Sequence, residues 1–151
     1  MKKDMVGTKL AEFEFPVERG KIREFANATC DPNPVHRDRE YARERGFKDV
    51  LMPVTFPASF PHHVGSENFI LEISLKLGVD PAKGILGETE MFFQRPICAG
   101  ECLRAEMIVG NIYEKEGKRG GTMTFMEMEI KFYDAEDKPV VVMRNIHIER
   151  G

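Results

Sequence analysis

Residues 28–38, "ATCDPNPVHRD", contain an aspartate and a histidine that could act on the same proton. Two prolines and Asn33 lie between Asp31 and His36. Proline fixes its own φ and pushes the preceding residue towards extended geometry, so this segment is a stiff loop. A carboxylate and an imidazole that reach one water molecule form a general acid–base pair. We interpret Asp31 and His36 as candidate catalytic residues, with Asn33 orienting a ligand or bracing the loop.

The same segment also has a purely structural interpretation. Asp-Pro-Asn-Pro is a favourable turn sequence, and Asp31 could cap the preceding helix or begin an Asx-turn. The spacing alone leaves both interpretations open.

The residues around this loop have the periodicity of a strand followed by helices. Residues 10–17 alternate between the two faces of a strand, and residues 18–28 have apolar side chains at helical spacing. Asp38 is placed as the N-cap of a short helix that ends at Gly46. In the apolar segment that follows, Pro57 suits a first helical turn, Pro61 is expected to kink or end the segment, and residues 68–78 predict another helix.

The remaining sequence predicts four long strands. The turns between them are at residues 99–100, 117–121 and 135–137, and the strands cover residues 84–97, 101–116, 120–134 and 138–150. Long strands joined by short hairpins predict a meandering antiparallel sheet with one exposed face. Packing the apolar helical region on the other face gives an α+β fold.

Length and composition exclude several classes of protein. The 151 residues suggest one domain over residues 1–151. A net charge of −3 gives no basic excess for nucleic acid or anionic lipid. Neither a signal peptide nor an apolar run of about 20 residues is present, so we expect no membrane association and a cytoplasmic location. The three cysteines, Cys30, Cys98 and Cys102, complete neither a disulfide framework nor a metal site, and we predict no metal and no cofactor.

Residues 25–47, "FANATCDPNPVHRDREYARERGF", resemble the hydratase signature of the MaoC-like, or R-specific enoyl-CoA hydratase, family. Residues 92–114, "FFQRPICAGECLRAEMIVGNIYE", resemble the second landmark of that family. The resemblance implies a hotdog fold, in which a curved antiparallel sheet wraps a central helix. It also implies hydration of a trans-2-enoyl thioester of CoA or an acyl-carrier protein to the (R)-3-hydroxyacyl thioester, or the reverse. Asp31 and His36 would then activate the water.

The chain departs from the common family pattern where the enolate oxygen must be stabilised. Many members have His-Gly after the short helix, and the glycine N–H is the donor. Here Pro53 has no N–H, so Val54 or Thr55 would have to donate. The Pro-x-Thr-Phe form resembles the fungal-synthase-like, N-terminal-type branch. That branch contains active hydratases and also subunits that pair with a second hotdog subunit and lack the Asp–His pair. Because both residues are present, the resemblance implies an active subunit in a homodimer or heterodimer.

Three further residues carry weaker predictions. Ser59 could bind near the thioester or bond back to its own backbone. Arg95 could meet a CoA phosphate or be simply solvated. His147 lies between Ile146 and Ile148, and we expect it to face away from the core. The alternative functions are a non-catalytic acyl-thioester-binding subunit and a thioesterase on the same fold.

Overall fold

The chain forms one antiparallel sheet of five strands in the order β1-β3-β4-β5-β2. The structure is a computed structural model that describes residues 1–117 and 121–151. The strands are β1 Lys9–Pro16, β2 Gly84–Phe93, β3 Cys102–Glu116, β4 Thr122–Tyr133 and β5 Pro139–Arg150. The α+β hotdog prediction is confirmed. The predicted turn at residues 117–121 falls mainly on residues outside the described ranges.

Alternation of side chains decides which face of the sheet is buried. In β4, every second residue from Met126 to Phe132 is in the core, while the intervening residues are partly exposed. Phe13 and Phe15 of β1 lie on the same buried face. The core therefore sits on one side of the sheet.

Helical segments cover this buried face and flank the loop. The α-helices are α1 Arg19–Ala28, α2 Arg39–Glu44 and α3 Phe69–Lys76, and a 3-10 helix spans Phe56–His63. Phe56 packs edge-on against Phe15, with ring centroids 5.6 Å apart, and Phe60 stacks on Phe13 at 6.2 Å. None of the helices in the described residues is long and apolar enough to cross a membrane.

The family resemblance implied one central helix, whereas the residue pattern predicted two helical pieces, and the structure has two. The sheet face carries the 3-10 helix and then α3, which lies within the predicted helix at residues 68–78, and residues 64–68 separate them. Pro57 lies in the first turn, as predicted, but Pro61 lies inside the 3-10 helix and does not end it. In an α-helix a proline loses one hydrogen bond and its ring also clashes with the carbonyl four residues back, whereas a 3-10 helix pairs residues three apart.

The predicted meander is wrong for β2. This strand pairs with β5 at the far edge of the sheet and not with β3, which follows it in sequence. Two hydrogen bonds fix the segment that connects β2 with β3. Met52 N–H donates to the Ile97 carbonyl at 2.8 Å, and Ala99 N–H donates to the Val50 carbonyl at 2.9 Å. The apparent hairpin at residues 99–100 is therefore part of a crossover.

The prediction that His147 faces away from the core is also wrong. In β5, Val141, Met143 and Asn145 are buried, and His147 continues that alternation on the inner face. It lies opposite Met126 in β4, whose side chain is in the core. The two flanking isoleucines suggested the opposite assignment, but the period set by Val141 and Met143 decides the direction.

Candidate active site

The Asp31 loop begins at the end of α1 and is braced by its own side chains. Cys30 has a left-handed φ of 55°, which turns the chain so that Asp31 N–H donates to the Ala26 carbonyl at 2.8 Å. Asp31 Oδ1 accepts from Asn33 N–H at 2.9 Å, forming an Asx-turn. Asn33 Oδ1 in turn accepts from Val35 N–H at 3.1 Å. Both side chains therefore stiffen a loop that the prolines already restrict.

The loop also brings Asp31 and His36 together. His36 Nε2 lies 3.4 Å from Asp31 Oδ2, the carboxylate oxygen that the Asx-turn does not use. The His36 side chain is 9% exposed and the Asp31 side chain 35% exposed. The structural and catalytic interpretations of this segment are thus compatible, because each uses a different oxygen of Asp31.

A backbone carbonyl orients the imidazole of His36. Its Nδ1 lies 2.7 Å from the Leu51 carbonyl oxygen. A carbonyl only accepts, so Nδ1 carries the proton and donates. A neutral imidazole then has its free lone pair on Nε2, which faces Asp31. A water molecule that contacts both atoms from the same side could donate one proton to each group.

The Leu51 carbonyl is held in place by its neighbours. Leu51 N–H donates to the Val35 carbonyl at 3.0 Å, and Leu51 forms a β-bridge with Cys98 of the crossover. Sequence analysis missed this role, because a backbone acceptor fifteen residues away from His36 leaves no signal in residue type.

Arg37 is a second supporting residue that the sequence did not indicate. Its guanidinium donates to the Asp31 carbonyl and to Asn27 Oδ1. It therefore links the end of α1 to the start of the loop. We assign Arg37 a positioning role.

Asp49 anchors both flanking helices to the segment that carries Leu51. Arg19, at the start of α1, donates to both Asp49 oxygens at 2.9 and 2.8 Å, and Arg39 Nε, at the start of α2, lies 3.0 Å from Oδ2. Hydrogen bonding by Arg19 lowers the pKa of Asp49 from 3.8 to about 2. The carboxylate is buried and also accepts from Val50 N–H at 2.8 Å.

Val54 and Thr55 are exposed at the start of the 3-10 helix. Across the described ranges, neither N–H forms a hydrogen bond. They follow Leu51 by three and four residues, so Val54 N lies within about 11 Å of the Leu51 backbone. The geometry leaves both N–H groups free to donate, as the oxyanion prediction requires.

Two other predicted substrate-binding residues have partners within the protein. Ser59 Oγ donates to the Phe56 carbonyl at 2.8 Å. Arg95 donates to both oxygens of Glu101, at 3.1 and 2.7 Å, and lies 3.4 Å from Asp134 Oδ2. This geometry does not support direct substrate binding by Ser59 or Arg95, and both assignments remain predictions.

A cavity of about 420 Å³ lies between the helical layer and the sheet. Its volume falls within the range of about 300–1,000 Å³ typical of small-molecule sites. Most of its walls are apolar, and they include Phe60, Phe69, Leu77, Met107, Met126 and Met143. Within residues 1–117 and 121–151, no group of three or more His, Cys, Asp or Glu side chains is placed to hold a metal.

The sheet order and the Asp–His loop together define a protein of the hotdog dehydratase and hydratase class. The family model of the FAS1-like dehydratase domain region matches residues 4–143, and the chain belongs to this family. A UPF0336 protein of Saccharopolyspora erythraea is 33% identical over 137 residues, covering 91% of this chain and 83% of that protein. A UPF0336 protein of Thermobifida fusca is 34% identical over 116 residues, covering 77% and 72%.

Solved structures show the same fold at low sequence identity. The C-terminally truncated HadBC (3R-hydroxyacyl-ACP dehydratase) complex of Mycobacterium tuberculosis aligns with a TM-score of 0.75 and 19% identity, covering 97% of this chain and 99% of that chain. The (R)-hydratase of A. caviae involved in PHA biosynthesis aligns with a TM-score of 0.68 and 18% identity, covering 94% of each chain. The family resemblance stated from the sequence is confirmed.

Proposed function

We propose that the protein is a hydratase or dehydratase that interconverts trans-2-enoyl thioesters and (R)-3-hydroxyacyl thioesters. The observation that carries this proposal is the 3.4 Å approach of His36 Nε2 to Asp31 Oδ2 within a braced loop. Two acceptors this close together can both be reached by one water molecule from the same side, and water is the second reactant of a hydration.

The proposed reaction needs only the enoyl thioester, one water molecule and the Asp31–His36 pair. The water oxygen bonds to C3 of the enoyl thioester while the Asp31–His36 pair accepts a proton from it. The electron pair of the C2–C3 double bond moves towards the thioester carbonyl and forms an enolate. The pair then returns a proton to C2, which completes the 3-hydroxyacyl product. The reverse sequence of steps is the dehydration.

The enolate oxygen needs a hydrogen-bond donor, and we assign the free N–H groups of Val54 and Thr55 to this role. They immediately precede the 3-10 helix and follow Leu51, whose carbonyl orients His36, by three and four residues. Preorganised backbone donors aimed at developing negative charge commonly contribute about 10²- to 10³-fold to the rate. The acyl chain would extend from there along the 3-10 helix into the apolar cavity.

We also propose that the protein pairs with a second hotdog subunit, either another copy or a related chain. The edge strand β2 and the helix α3 expose large apolar side chains, of which Ile70, Ile85 and Leu86 also line the cavity; they are Ile85, Leu86, Phe92, Ile70, Leu71 and Leu75. Solved neighbours include complexes of hotdog chains, HadBC and ChsH1–ChsH2 of Mycobacterium tuberculosis. Light scattering on the purified protein tests self-association, and a monomer at micromolar concentration would point to a different subunit.

The reaction is tested by following the enoyl absorbance of crotonyl-CoA with purified protein. We expect (R)-3-hydroxybutyryl-CoA, and a rate reduced by roughly 10²- to 10⁴-fold in Asp31→Asn and in His36→Gln. Asp38→Asn is the matched control, because it changes an acid in the same segment that caps α2 and asparagine also caps well. Folded Asp31→Asn and His36→Gln variants that keep near-normal rates would refute the catalytic assignment.

A further inference from the structure

The cavity has a polar region on its sheet side, formed by Asn145 and His147 of β5 and Thr89 of β2. Asn145 is 6% exposed, yet it is an amide among methionine and aliphatic side chains. Thr89 Oγ1 donates to Asn145 Oδ1 at 2.9 Å, which fixes the orientation of the amide. Its Nδ2 then carries two N–H groups that meet no acceptor in residues 1–117 or 121–151. A buried amide with both donors free is normally paired by an ordered water or by a ligand, and a ligand that displaces the water has to supply the acceptor.

His147 adds a second unsatisfied group beside Asn145. Its Nε2 is buried and has no hydrogen-bond partner within the described part of the chain. Burial lowers the pKa of this imidazole, so it is neutral near pH 7 and offers one donor and one acceptor. Asn145 and His147 are two residues apart on one face of the strand, about 7 Å from each other.

Asn145 and His147 lie where the distal part of a bound acyl chain is expected. The 3-10 helix begins after Thr55, and its residues Ala58, Phe60 and Pro61 line the cavity. At about 2 Å of rise per residue, Phe60 lies about 10 Å along the helix from Thr55. A chain whose thioester sits near Thr55 would thus pass several carbons before it enters the cavity. A plain alkyl chain would then cover the amide of Asn145 without satisfying it, which is unfavourable.

We propose that this site selects acyl groups that carry a hydroxyl or carbonyl oxygen in their distal half. Asn145 donates to that oxygen, Thr89 positions the amide, and the His147 imidazole, whose Nε2 is enclosed, makes the wall beside Asn145 polar. The proposal rests on the proposed function, since it takes the cavity as the site of the acyl chain.

The test measures binding by calorimetry with thioesters that cannot react. Decanoyl-CoA is compared with its ω-hydroxy and (ω−1)-oxo derivatives, all saturated. We expect at least one oxygenated analogue to bind roughly 5- to 100-fold more tightly than decanoyl-CoA, the range for one buried hydrogen bond. Asn145→Leu should remove most of this preference, and His147→Leu should reduce it.

Two further variants make the result specific. Thr89→Val keeps the shape of the side chain but releases the Asn145 amide, so the preference should fall even if Asn145→Leu fails to fold. Met128→Leu, directly opposite Asn145 in β4, changes the cavity wall without changing its polarity. The ratio of the affinities for oxygenated and plain chains should stay the same in Met128→Leu.

The outcomes separate this proposal from the proposed reaction. Equal affinity for the three analogues, or a preference that survives in Asn145→Leu and Thr89→Val, would overturn the polar site. Failure of all three to bind would overturn the assignment of the cavity to the acyl chain. Hydration of crotonyl-CoA, which is too short to reach Asn145, reports on the reaction alone. An active enzyme without a preference refutes only the polar site, and a preference without hydration refutes only the reaction.

Discussion

Replacing Asp49 with asparagine should destabilise the protein in a pH-dependent way. The carboxylate lies between Arg19 and Arg39, so it holds the starts of α1 and α2 against the segment that places the Leu51 carbonyl. Asparagine keeps the size and one acceptor but removes the charge that pairs with both guanidinium groups. The arginine side chains are each 50% exposed and would remain hydrated, so the loss is that of the interaction with the carboxylate.

The size of the effect follows from the pKa of Asp49. Its pKa falls from 3.8 to about 2 in the folded protein. At about 1.4 kcal/mol per pKa unit, this corresponds to roughly 2 kcal/mol of stability. Because the folded pKa is lowered, this stability is present above the unfolded pKa and is lost as pH falls through the folded value. We expect the full difference at pH 7 and about half of it near pH 3.

The assay is urea unfolding of wild type and Asp49→Asn, followed by circular dichroism at both pH values. Glu24→Gln is the control, because Glu24 forms an exposed pair with Lys21 on α1 and such pairs contribute little. A free-energy difference that is the same at pH 7 and pH 3, or a loss below about 0.5 kcal/mol at pH 7, would refute the proposed electrostatic role of Asp49.

Three other substitutions test separate parts of the structure. Asp38→Ala removes the cap of α2 and should lower the free energy of unfolding by about 1 kcal/mol in a urea titration, whereas no loss would contradict the capping geometry. Phe132→Ala removes a fully buried ring, 5.1 Å from that of Phe15, and should cost about 3–5 kcal/mol by the same measurement; a cost below 1 kcal/mol would show that the site is not tightly packed. Arg37→Leu should lower kcat for crotonyl-CoA by roughly tenfold to a hundredfold through misplacement of Asp31, with partial recovery in Arg37→Lys, and an unchanged kcat would exclude a positioning role.

Features determined by local sequence could be predicted well. The strands followed from alternation, and α2 was correctly placed because Asp38 accepts from the N–H groups of Glu40 and Tyr41. The approach of Asp31 to His36 was also accessible, because only a short, stiff loop separates them.

Features that depend on distant residues could not be predicted in the same way. The edge position of β2 requires a crossover, and a turn signal does not distinguish a crossover from a hairpin. The role of the Leu51 carbonyl and the ion pairs of Asp49 join segments whose proximity exists only in the folded chain. The inward direction of the His147 side chain could have been inferred from the alternation along the whole of β5. The two flanking isoleucines suggested the opposite direction.

The crossover of β2 has a consequence for how the chain folds. The strands β3, β4 and β5 follow one another and can pair as soon as each is synthesised, whereas β2 is made before all three and has no partner until β5 exists. Contacts so far apart in sequence slow folding. Until β5 has been synthesised, β2 remains an unpaired strand with apolar side chains. Thr89 and Asn145 face each other across this late pairing. A ligand held by the Asn145 amide in this orientation would bind only after β2 has docked, and it would act by slowing the release of that strand rather than by hastening its arrival.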